Sequence, residues 1–269
     1  MAFDLPSVRE TYARDGVVLL PRALDETDLA DALTAYEWSL ANPGPGASRI
    51  QSPTAATFYQ DLYNPRCLEG YTAMLQRSPL PAIIADIWGA PAVWFMYEQV
   101  FLKEGGEARR TPWHQDSSYL TIAGDHLAVA WITFDAMSAA DSLEFVRGSH
   151  RGVLYNGSRF ELGDDTAPLH PGDALPRLPD IEANRADFDI VSYAVEPGDV
   201  VLFHPATLHG GGATRPGQRR RTLTLRFFGQ NAVYDARPGP AGPRVEDFHN
   251  RMRPGDAFRD PSFLKLSPA

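Results

Sequence analysis

A histidine and an aspartate two residues apart could bind a metal ion. They lie in the stretch Trp113-His114-Gln115-Asp116. On a β-strand, side chains two residues apart point to the same face, so His114 and Asp116 could be directed at one cation while Gln115 points away. The pair alone is weak support for a metal site, because such pairs also occur by chance on polar surfaces. A third ligand elsewhere in the chain would strengthen the prediction.

The segment GDVVLFHPATLHGGGAT offers two candidates for the third ligand, His204 and His209. Two imidazoles and one carboxylate leave coordination positions open, which suits non-haem Fe(II) that must also bind a co-substrate and O2. Structural zinc normally takes a fourth protein ligand, and none is obvious. The single cysteine, Cys67, excludes an internal disulfide and a cysteine-rich zinc site.

Arginines in the segment GQRRRTLTLRFFG could bind an anionic co-substrate. If 2-oxoglutarate chelated the metal through its keto-acid end, its distant carboxylate would need a cation, and the planar guanidinium pairs bidentately with carboxylates. On a strand, alternation separates two faces. One face carries Arg220, Thr222, Thr224 and Arg226, and the other carries Arg221, Leu223 and Leu225. The strand register does not decide which face is turned inward.

Helix signals dominate the N-terminal third of the chain. Ser7 and Glu10 have capping-box spacing and Gly16 is a stop signal, which predicts a helix over 7–15. Asp25 predicts the start of a second helix. The other elements predicted here are a buried strand over 16–21, a loop over 41–49, and helices around 65–76 and 80–88.

Strand signals follow from residue 92 onwards. Segments rich in β-branched and aromatic residues lie at 92–103, 126–137, 143–150, 189–205 and 221–229. A long stretch with Pro and Gly, 151–188, is typical of a lid or a substrate wall. The order predicts one domain, with helices over about 1–90, an antiparallel β barrel or jelly roll over about 92–230, and a C-terminal tail.

Composition limits the classes of partner. The 269 residues are 43% hydrophobic and 22% charged, which is ordinary for a soluble globular protein. A formal net charge of −9 argues against a main role in nucleic-acid binding. No apolar run is long enough to span a bilayer, and the first residues lack the pattern of a secretory signal. We therefore expect a cytoplasmic protein with a small-molecule substrate and no membrane or nucleic-acid partner. The oligomeric state cannot be read from the sequence.

Four motifs, in order and spacing, resemble the phytanoyl-CoA dioxygenase family. They are Trp113-His114-Gln115-Asp116, LEFVRGSH, GDVVLFHPATLHGGG and Arg220-Arg221-Thr222-Leu223, and the segment YARDGVVLLPRALDETDLADAL extends the match to the N-terminal part. The resemblance covers the chain to about residue 230. It implies a mainly β protein with N-terminal helices, built on a double-stranded β-helix (a cupin-like jelly roll), that uses Fe(II), 2-oxoglutarate and O2.

The resemblance also implies a ligand set. In that family the distal histidine is followed by Gly and, eleven residues later, by the arginine that binds 2-oxoglutarate. His209 is followed by Gly and has Arg220 at that distance, whereas His204 is followed by Pro and has Arg215 there. The resemblance therefore implies iron binding by His114, Asp116 and His209, and 2-oxoglutarate binding by Arg220. Halogenating relatives lack the carboxylate, so Asp116 favours oxygenation.

Further candidates for co-substrate binding lie on neighbouring strands. Lys103 and Gln99 share a strand face, and the resemblance suggests that one of them contacts 2-oxoglutarate; a surface lysine is the alternative for Lys103. Trp131 and Thr133 could border the same cavity or be ordinary core residues. Gly211 stands where the family often has a serine whose hydroxyl helps to hold 2-oxoglutarate.

The remaining candidates are weaker. Arg109 and Arg110 could attract an anionic substrate, although solvated surface charge is the simpler interpretation. Packing or surface roles are predicted for Trp113, His126, His150, His170 and His249.

The expected function is oxidation of an unactivated C–H bond of a small metabolite of secondary metabolism, with release of succinate and CO2. The alternatives are desaturation, cyclisation or epimerisation by the same chemistry, or a non-catalytic metal-binding β-barrel that senses a small molecule. Nucleic-acid demethylation is disfavoured by the acidic charge. The sequence does not identify the substrate.

Overall fold

A computed structural model describes residues 3–51, 57–104, 110–214 and 216–266 of the chain. Within these residues the helices are α1 (Leu5–Asp15), α2 (Glu26–Ala41), α3 (Cys67–Arg77), α4 (Leu80–Trp88) and α5 (Phe248–Arg251). The strands are β1 (Val17–Leu20), β2 (Ser48–Gln51), β3 (Thr57–Leu62), β4 (Val93–Glu104), β5 (Thr111–His114), β6 (Ile122–Ala123), β7 (Leu127–Thr133), β8 (Leu143–Val146), β9 (Ile190–Ser192), β10 (Val200–Phe203), β11 (His209–Gly211), β12 (Arg220–Gly229), β13 (Val233–Tyr234) and β14 (Lys265–Leu266).

The ends of the first two helices follow their capping residues. The predicted capping box at Ser7 is wrong: Asp4 caps α1, and its carboxylate accepts a hydrogen bond from the Ser7 amide at 3.2 Å. Gly16 ends α1 as predicted, with a φ of 74° that glycine adopts without steric cost. The capping box at Asp25 starts α2 as predicted.

The strands form two main antiparallel sheets. The larger sheet has the order β1-β10-β7-β12-β4-β3-β2, with β14 also paired to β4, and the smaller has the order β5-β11-β8-β9. The segment predicted as one strand over 189–205 is in fact two, because the chain crosses from the smaller sheet at β9 to the larger sheet at β10. The pair β2–β3 was not predicted, since β2 begins inside a segment rich in Gly and Pro.

The two faces of the larger sheet bury different cores. One face packs on α1 to α4 through residues that include Leu20, Ile84, Phe95, Leu223 and Leu225. The other face meets the smaller sheet through residues that include Trp131, Phe145, Val201 and Phe203. Because β12 alternates, its leucines face the helices and its Arg220–Arg226 face is turned toward the smaller sheet. Two antiparallel sheets that share a core make the predicted jelly roll.

The segment after residue 230 returns to the larger sheet. Aromatic rings of Phe248, Phe258 and Phe263 pack around Phe228 at the end of β12. Of the helices in the described residues, none is long and apolar enough to cross a membrane.

Candidate metal centre

Three side chains meet where β5 and β11 run side by side. His114 is the last residue of β5, and its Cα is paired with that of His209, the first residue of β11. Asp116 begins a short 3-10 turn after the extended Gln115, so alternation carries its carboxylate to the same side as the His114 imidazole. One ligand atom from each side chain lies within 4.8 Å of the other two.

The backbone orients both imidazoles. The Nδ1 atoms of His114 and His209 lie 2.9 Å from the carbonyl oxygens of Pro112 and Thr207, so each Nδ1–H donates and each Nε2 is left with its lone pair. These Nε2 atoms lie 3.6 and 3.9 Å from Oδ1 of Asp116. Burial and the neighbouring His114 ring lower the pKa of His209 to about 3, which keeps its imidazole neutral and able to bind a metal.

A buried arginine keeps the Asp116 carboxylate ionised. Arg226 donates from Nη2 at 2.8 Å and from Nε at 3.2 Å to Oδ2, on the side away from the imidazoles. Burial alone would raise the pKa of Asp116, but Arg226 and the two histidines hold it well below its ordinary value. Arg226 is itself placed by the Gln99 side-chain oxygen at 2.8 Å and by the Tyr97 ring at 4.6 Å. Its Nη1 is buried without a hydrogen-bond partner in the described part of the chain.

A second group of buried cations lies on β12 and β4, the strands that carry Arg226 and Gln99. Arg220 and Lys103 are cross-strand neighbours on β12 and β4, and both donate to the Gly212 carbonyl, at 2.8 and 3.2 Å. Burial and the Arg220 charge lower the pKa of Lys103 to about 7, and burial lowers the pKa of Arg220 to about 10. Both shifts show that positive charge here is poorly solvated, and a bound carboxylate would stabilise it.

The other residues that the sequence suggested for co-substrate binding have different neighbours. The Trp131 ring lies 5.5 Å from the Arg220 guanidinium carbon. The Thr133 hydroxyl donates to the Asp135 carbonyl at 2.6 Å, and Gln99 contacts Arg226 as described. Gly211 has a φ of 89°, where an L side chain such as serine is strained.

The remaining histidines lie outside the cluster. His204 is fully paired with the backbone, since its Nε2 lies 3.1 Å from the Gly124 carbonyl and its Nδ1 accepts from the Ala206 amide. His126 stacks on Trp88, and the His150 ring packs against His204. His170 and His249 contact the Ser118 and Pro243 carbonyl oxygens.

Of Arg109 and Arg110, the two arginines that could attract an anionic substrate, the structure describes Arg110. Arg110 is paired with Glu144 at 2.8 Å and with Glu182, so its charge is already balanced. Arg109 and Arg215 lie outside the described residues.

Sequence reasoning missed the aromatic rings around His114. Tyr119 and Phe160 lie with their ring centroids 6.0 and 5.2 Å from that of His114. Tyr119 follows Asp116 in the same turn, which was a usable signal. Phe160 lies in the weakly patterned 151–188 stretch, where nothing in the sequence indicates a contact with a site residue.

The donor set fits Fe(II) with an exchangeable co-substrate. Two imidazoles and one carboxylate converge, and in the described residues no further His, Cys or carboxylate joins this cluster. The arrangement leaves coordination positions for other ligands, as an iron site that activates O2 requires. The buried Arg220–Lys103 pair supplies the cations that a dicarboxylate needs.

Comparison with known proteins agrees with this chemistry. The family model described as phytanoyl-CoA dioxygenase matches residues 12–222. A probable phytanoyl-CoA dioxygenase from Caenorhabditis elegans is 28% identical over 154 residues, which are 54% of this chain and 46% of the relative. The L-proline trans-4-hydroxylase of Streptomyces griseoviridis is 25% identical over 86% of this chain and 88% of its own length. The chain thus spans about half the length of the first relative and most of the second.

A solved structure extends the likeness to the whole fold. The epimerase SnoN, in complex with Fe3+, alpha ketoglutarate and nogalamycin RO, superposes with a TM-score of 0.66 over 97% of this chain and 98% of its own, at 18% identity. At that identity the likeness concerns the fold. It confirms the predicted double-stranded β-helix.

Proposed function

The chain belongs to the phytanoyl-CoA dioxygenase family, and we propose that it is an Fe(II)- and 2-oxoglutarate-dependent oxygenase acting on a C–H bond of a small metabolite. The observation that carries this proposal is the convergence of one ligand atom each from His114, Asp116 and His209 within 4.8 Å. Iron(II), when bound with 2-oxoglutarate and O2, supplies the oxidising chemistry, with succinate and CO2 as co-products.

The protein's own contribution is to prepare the donors. The Pro112 and Thr207 carbonyls fix the tautomer of both imidazoles, so that no proton has to leave Nε2 when a metal binds. Arg226 holds Asp116 as a carboxylate and occupies only Oδ2, which leaves Oδ1 on the side of the imidazoles. For His209 and Asp116, loss of a proton is therefore not a cost of metal binding at neutral pH, because their pKa values are both lowered.

The protein also prepares the co-substrate pocket. We assign the distal carboxylate of 2-oxoglutarate to Arg220, with Lys103 as a second cation, because both are buried and side by side. Trp131 covers the guanidinium face. Retention of Asp116 supports oxygenation rather than halogenation, since the carboxylate takes the place that a halide would need.

The oxidation of the substrate can end in more than one type of product. The L-proline trans-4-hydroxylase hydroxylates and SnoN is an epimerase, so hydroxylation is the first proposal and epimerisation, desaturation or cyclisation the second. The buried Arg220–Lys103 pair counts against a barrel that keeps a metal only for stability, because structural metal binding needs no second cationic pocket. A non-catalytic barrel that senses a small molecule is the other alternative, and succinate release separates it from an oxygenase. Membership of secondary metabolism, a cytoplasmic location and a single-domain organisation stay predictions from the sequence.

The test is substrate-dependent succinate formation. Protein supplied with Fe(II), 2-oxoglutarate and O2 is screened against a metabolite panel, and a true substrate should raise succinate in step with an oxidised product. His209→Ala should abolish both. His204→Ala is the matched control and should retain turnover, because His204 bonds the Gly124 carbonyl instead. Succinate formation that survives in His209→Ala would refute the assignment.

A further inference from the structure

Exposed apolar side chains are concentrated in one loop. Among the described residues, the large hydrophobic side chains that are exposed are Val153, Phe160 and Leu162, at 52%, 41% and 87%. All three lie within ten consecutive positions of the 151–188 stretch. A local concentration of exposed apolar surface marks a binding surface more often than scattered single residues do.

This apolar surface begins at a proposed metal ligand. The Phe160 ring stands at 78° to the His114 ring with centroids 5.2 Å apart, and it is parallel to Tyr119 within 12° at 6.0 Å. Leu162 lies two residues beyond Phe160 and is almost fully exposed. Phe160 therefore contacts the imidazole of His114 and also reaches the outside of the protein, and the exposed Leu162 follows it in the same loop.

Hydrogen bonds hold the loop in this position. The Tyr119 hydroxyl donates to the Ser158 carbonyl at 2.5 Å and accepts from the Ser158 amide at 3.0 Å. The side-chain Nε2 of Gln115 donates to the Val153 carbonyl at 3.1 Å, next to the turn that carries Asp116. Phe160 has a φ of 56°, a left-handed conformation that is unusual for a bulky residue and is kept only where the surroundings enforce it. The backbone conformation at Phe160 is thus held by the surrounding loop.

The charges that flank these side chains are balanced. Arg159 is paired with Glu161 at 2.9 Å, and Arg177 is paired with Asp164 at 2.6 Å. Phosphate or carboxylate groups of a ligand would have to compete with these carboxylates for the two guanidinium groups. The surface thus favours a neutral, apolar occupant, and the exposed Phe160 ring can stack with a ring of that occupant.

We propose that Phe160 and Leu162 form a subsite for a neutral, apolar, ring-bearing part of the substrate. The reacting part of the same molecule would extend past Tyr119 to the proposed metal centre. This inference rests on the proposed function and deepens it by naming the substrate class. It assigns to Phe160 a direct role in specificity and predicts that small, strongly polar metabolites are poor substrates.

The subsite can be tested without iron, with N-phenyl-1-naphthylamine as a neutral fluorescent ring probe. Metal-free protein should bind the probe saturably. Phe160→Ser and Leu162→Ser should each weaken its affinity by about tenfold or more, because each removes a large apolar contact. Arg159→Ser, next to Phe160 and likewise on the loop, is the matched control and should leave the affinity unchanged. Thermal unfolding of each variant checks that it is folded.

Three outcomes would overturn the subsite. The first is probe affinity that is unchanged in both apolar variants. The second is that hexanoyl-CoA binds more tightly than the probe and that Arg159→Ser loses this binding. That result would assign the surface to an anionic ligand. The third is a concentration-dependent dimer, seen in sedimentation, that Leu162→Ser dissociates while the affinity for the probe stays unchanged. That result would assign the surface to a second copy of the chain.

The probe and succinate measurements separate the two proposals. If the probe binds as expected but no compound ever releases succinate, the oxygenase assignment fails and the apolar subsite remains. If succinate forms with small polar substrates and Phe160→Ser leaves their KM and kcat unchanged, the oxygenase assignment stands and the subsite is wrong.

Discussion

At the residue scale, the Asp116 carboxylate has two separate tasks. Its Oδ1 faces the two imidazoles, and its Oδ2 forms a buried ion pair with Arg226. Removal of one partner from such a pair leaves an uncompensated charge in a poorly solvated place. On the proposed assignment the carboxylate contributes to both metal binding and stability, and a variant at this position should affect both.

We expect Asp116→Ala to lose metal affinity and also to unfold more easily. The stranded Arg226 charge should lower the free energy of unfolding of the metal-free protein by about 3–5 kcal/mol. Denaturant unfolding and a metal titration measure the two effects separately. The double variant Asp116→Ala/Arg226→Met should regain part of the stability without regaining metal. Wild-type stability in the single variant would contradict the buried pair.

If Lys103 contacts 2-oxoglutarate as proposed, we expect the binding of 2-oxoglutarate to depend on pH. Its pKa is lowered to about 7, so the amine loses its proton as the pH rises through neutrality. A dicarboxylate binds the protonated form better, so its affinity should fall by up to about tenfold per pH unit above this pKa. Calorimetric titration of 2-oxoglutarate into the Zn(II)-loaded protein, which cannot turn over, measures this. Lys103→Met should bind more weakly and with little pH dependence.

The same lowered pKa has a consequence for stability without ligand. The unfolded chain, with the ordinary lysine value of 10.5, binds the proton that the folded protein has lost between the two pKa values. Stability rises with pH where the unfolded state binds more protons, so the free energy of unfolding should rise from about pH 7 to about pH 10.5. A Lys103→Met protein that keeps the full rise would show that another group is responsible.

At the element scale, strand pairing sets the geometry of the centre. The pairing of β5 with β11 places His114 opposite His209, and the pairing of β12 with β4 places Arg220 opposite Lys103. The register between β5 and β11 shifts just after His209, where the chain passes through Gly210 to Gly211. A substitution in this segment therefore acts on the backbone that carries a proposed ligand.

We expect Gly211→Ser, which introduces the residue common in the family, to lower the free energy of unfolding. A Cβ here would lie 3.1 Å from the Glu144 side chain and 3.2 Å from the Ser142 carbonyl, on a backbone with φ at 89°. The left-handed conformation alone costs about 1–2 kcal/mol for an L residue. Gly217→Ser is the matched control, since its φ is 80° and a Cβ would meet nothing within 4 Å. Urea unfolding should show a larger loss for Gly211→Ser, and equal losses would contradict the crowding at β11.

At the scale of the whole molecule, the centre lies between two sheets that the rest of the chain supports. Helices α1 to α4 cover the outer face of the larger sheet, and the aromatic cluster of the C-terminal segment covers its end. The ligands come from β5, the following turn and β11, which are far apart in the chain. A metal ion that binds all three ties these segments together and should stabilise the folded state as a whole.

Metal loading should raise the thermal stability. Free metal at about 100 times its Kd adds about 2.7 kcal/mol to the folded state, which corresponds to roughly 5–10 °C in Tm for a domain of this size. Anaerobic thermal unfolding with Fe(II) measures the shift, and a chelator should reverse it. His114→Ala should abolish the shift, whereas His249→Ala, in the C-terminal segment, should retain it. A shift of equal size in both variants would place the bound metal elsewhere.

The sequence by itself predicted the family, the jelly roll and the four residues proposed for iron and 2-oxoglutarate. Alternation puts His114 and Asp116 on one side, whereas the resemblance to the family implied His209 and Arg220. Local signals misplaced the cap of α1 and missed β2–β3, because Asp4 competes with Ser7 and strand pairing overrides a Gly- and Pro-rich segment.

Only the tertiary structure decided the contacts between distant segments. Arg226 and Asp116 are 110 positions apart, and no short motif links them. Phe160 reaches His114 only because hydrogen bonds dock its loop on the turn after β5. Whether Lys103 is a surface lysine or a buried cation depends on what packs over β4. Sequence periodicity reports which face a side chain takes, whereas burial, pKa and partner depend on the segments that folding brings against that face.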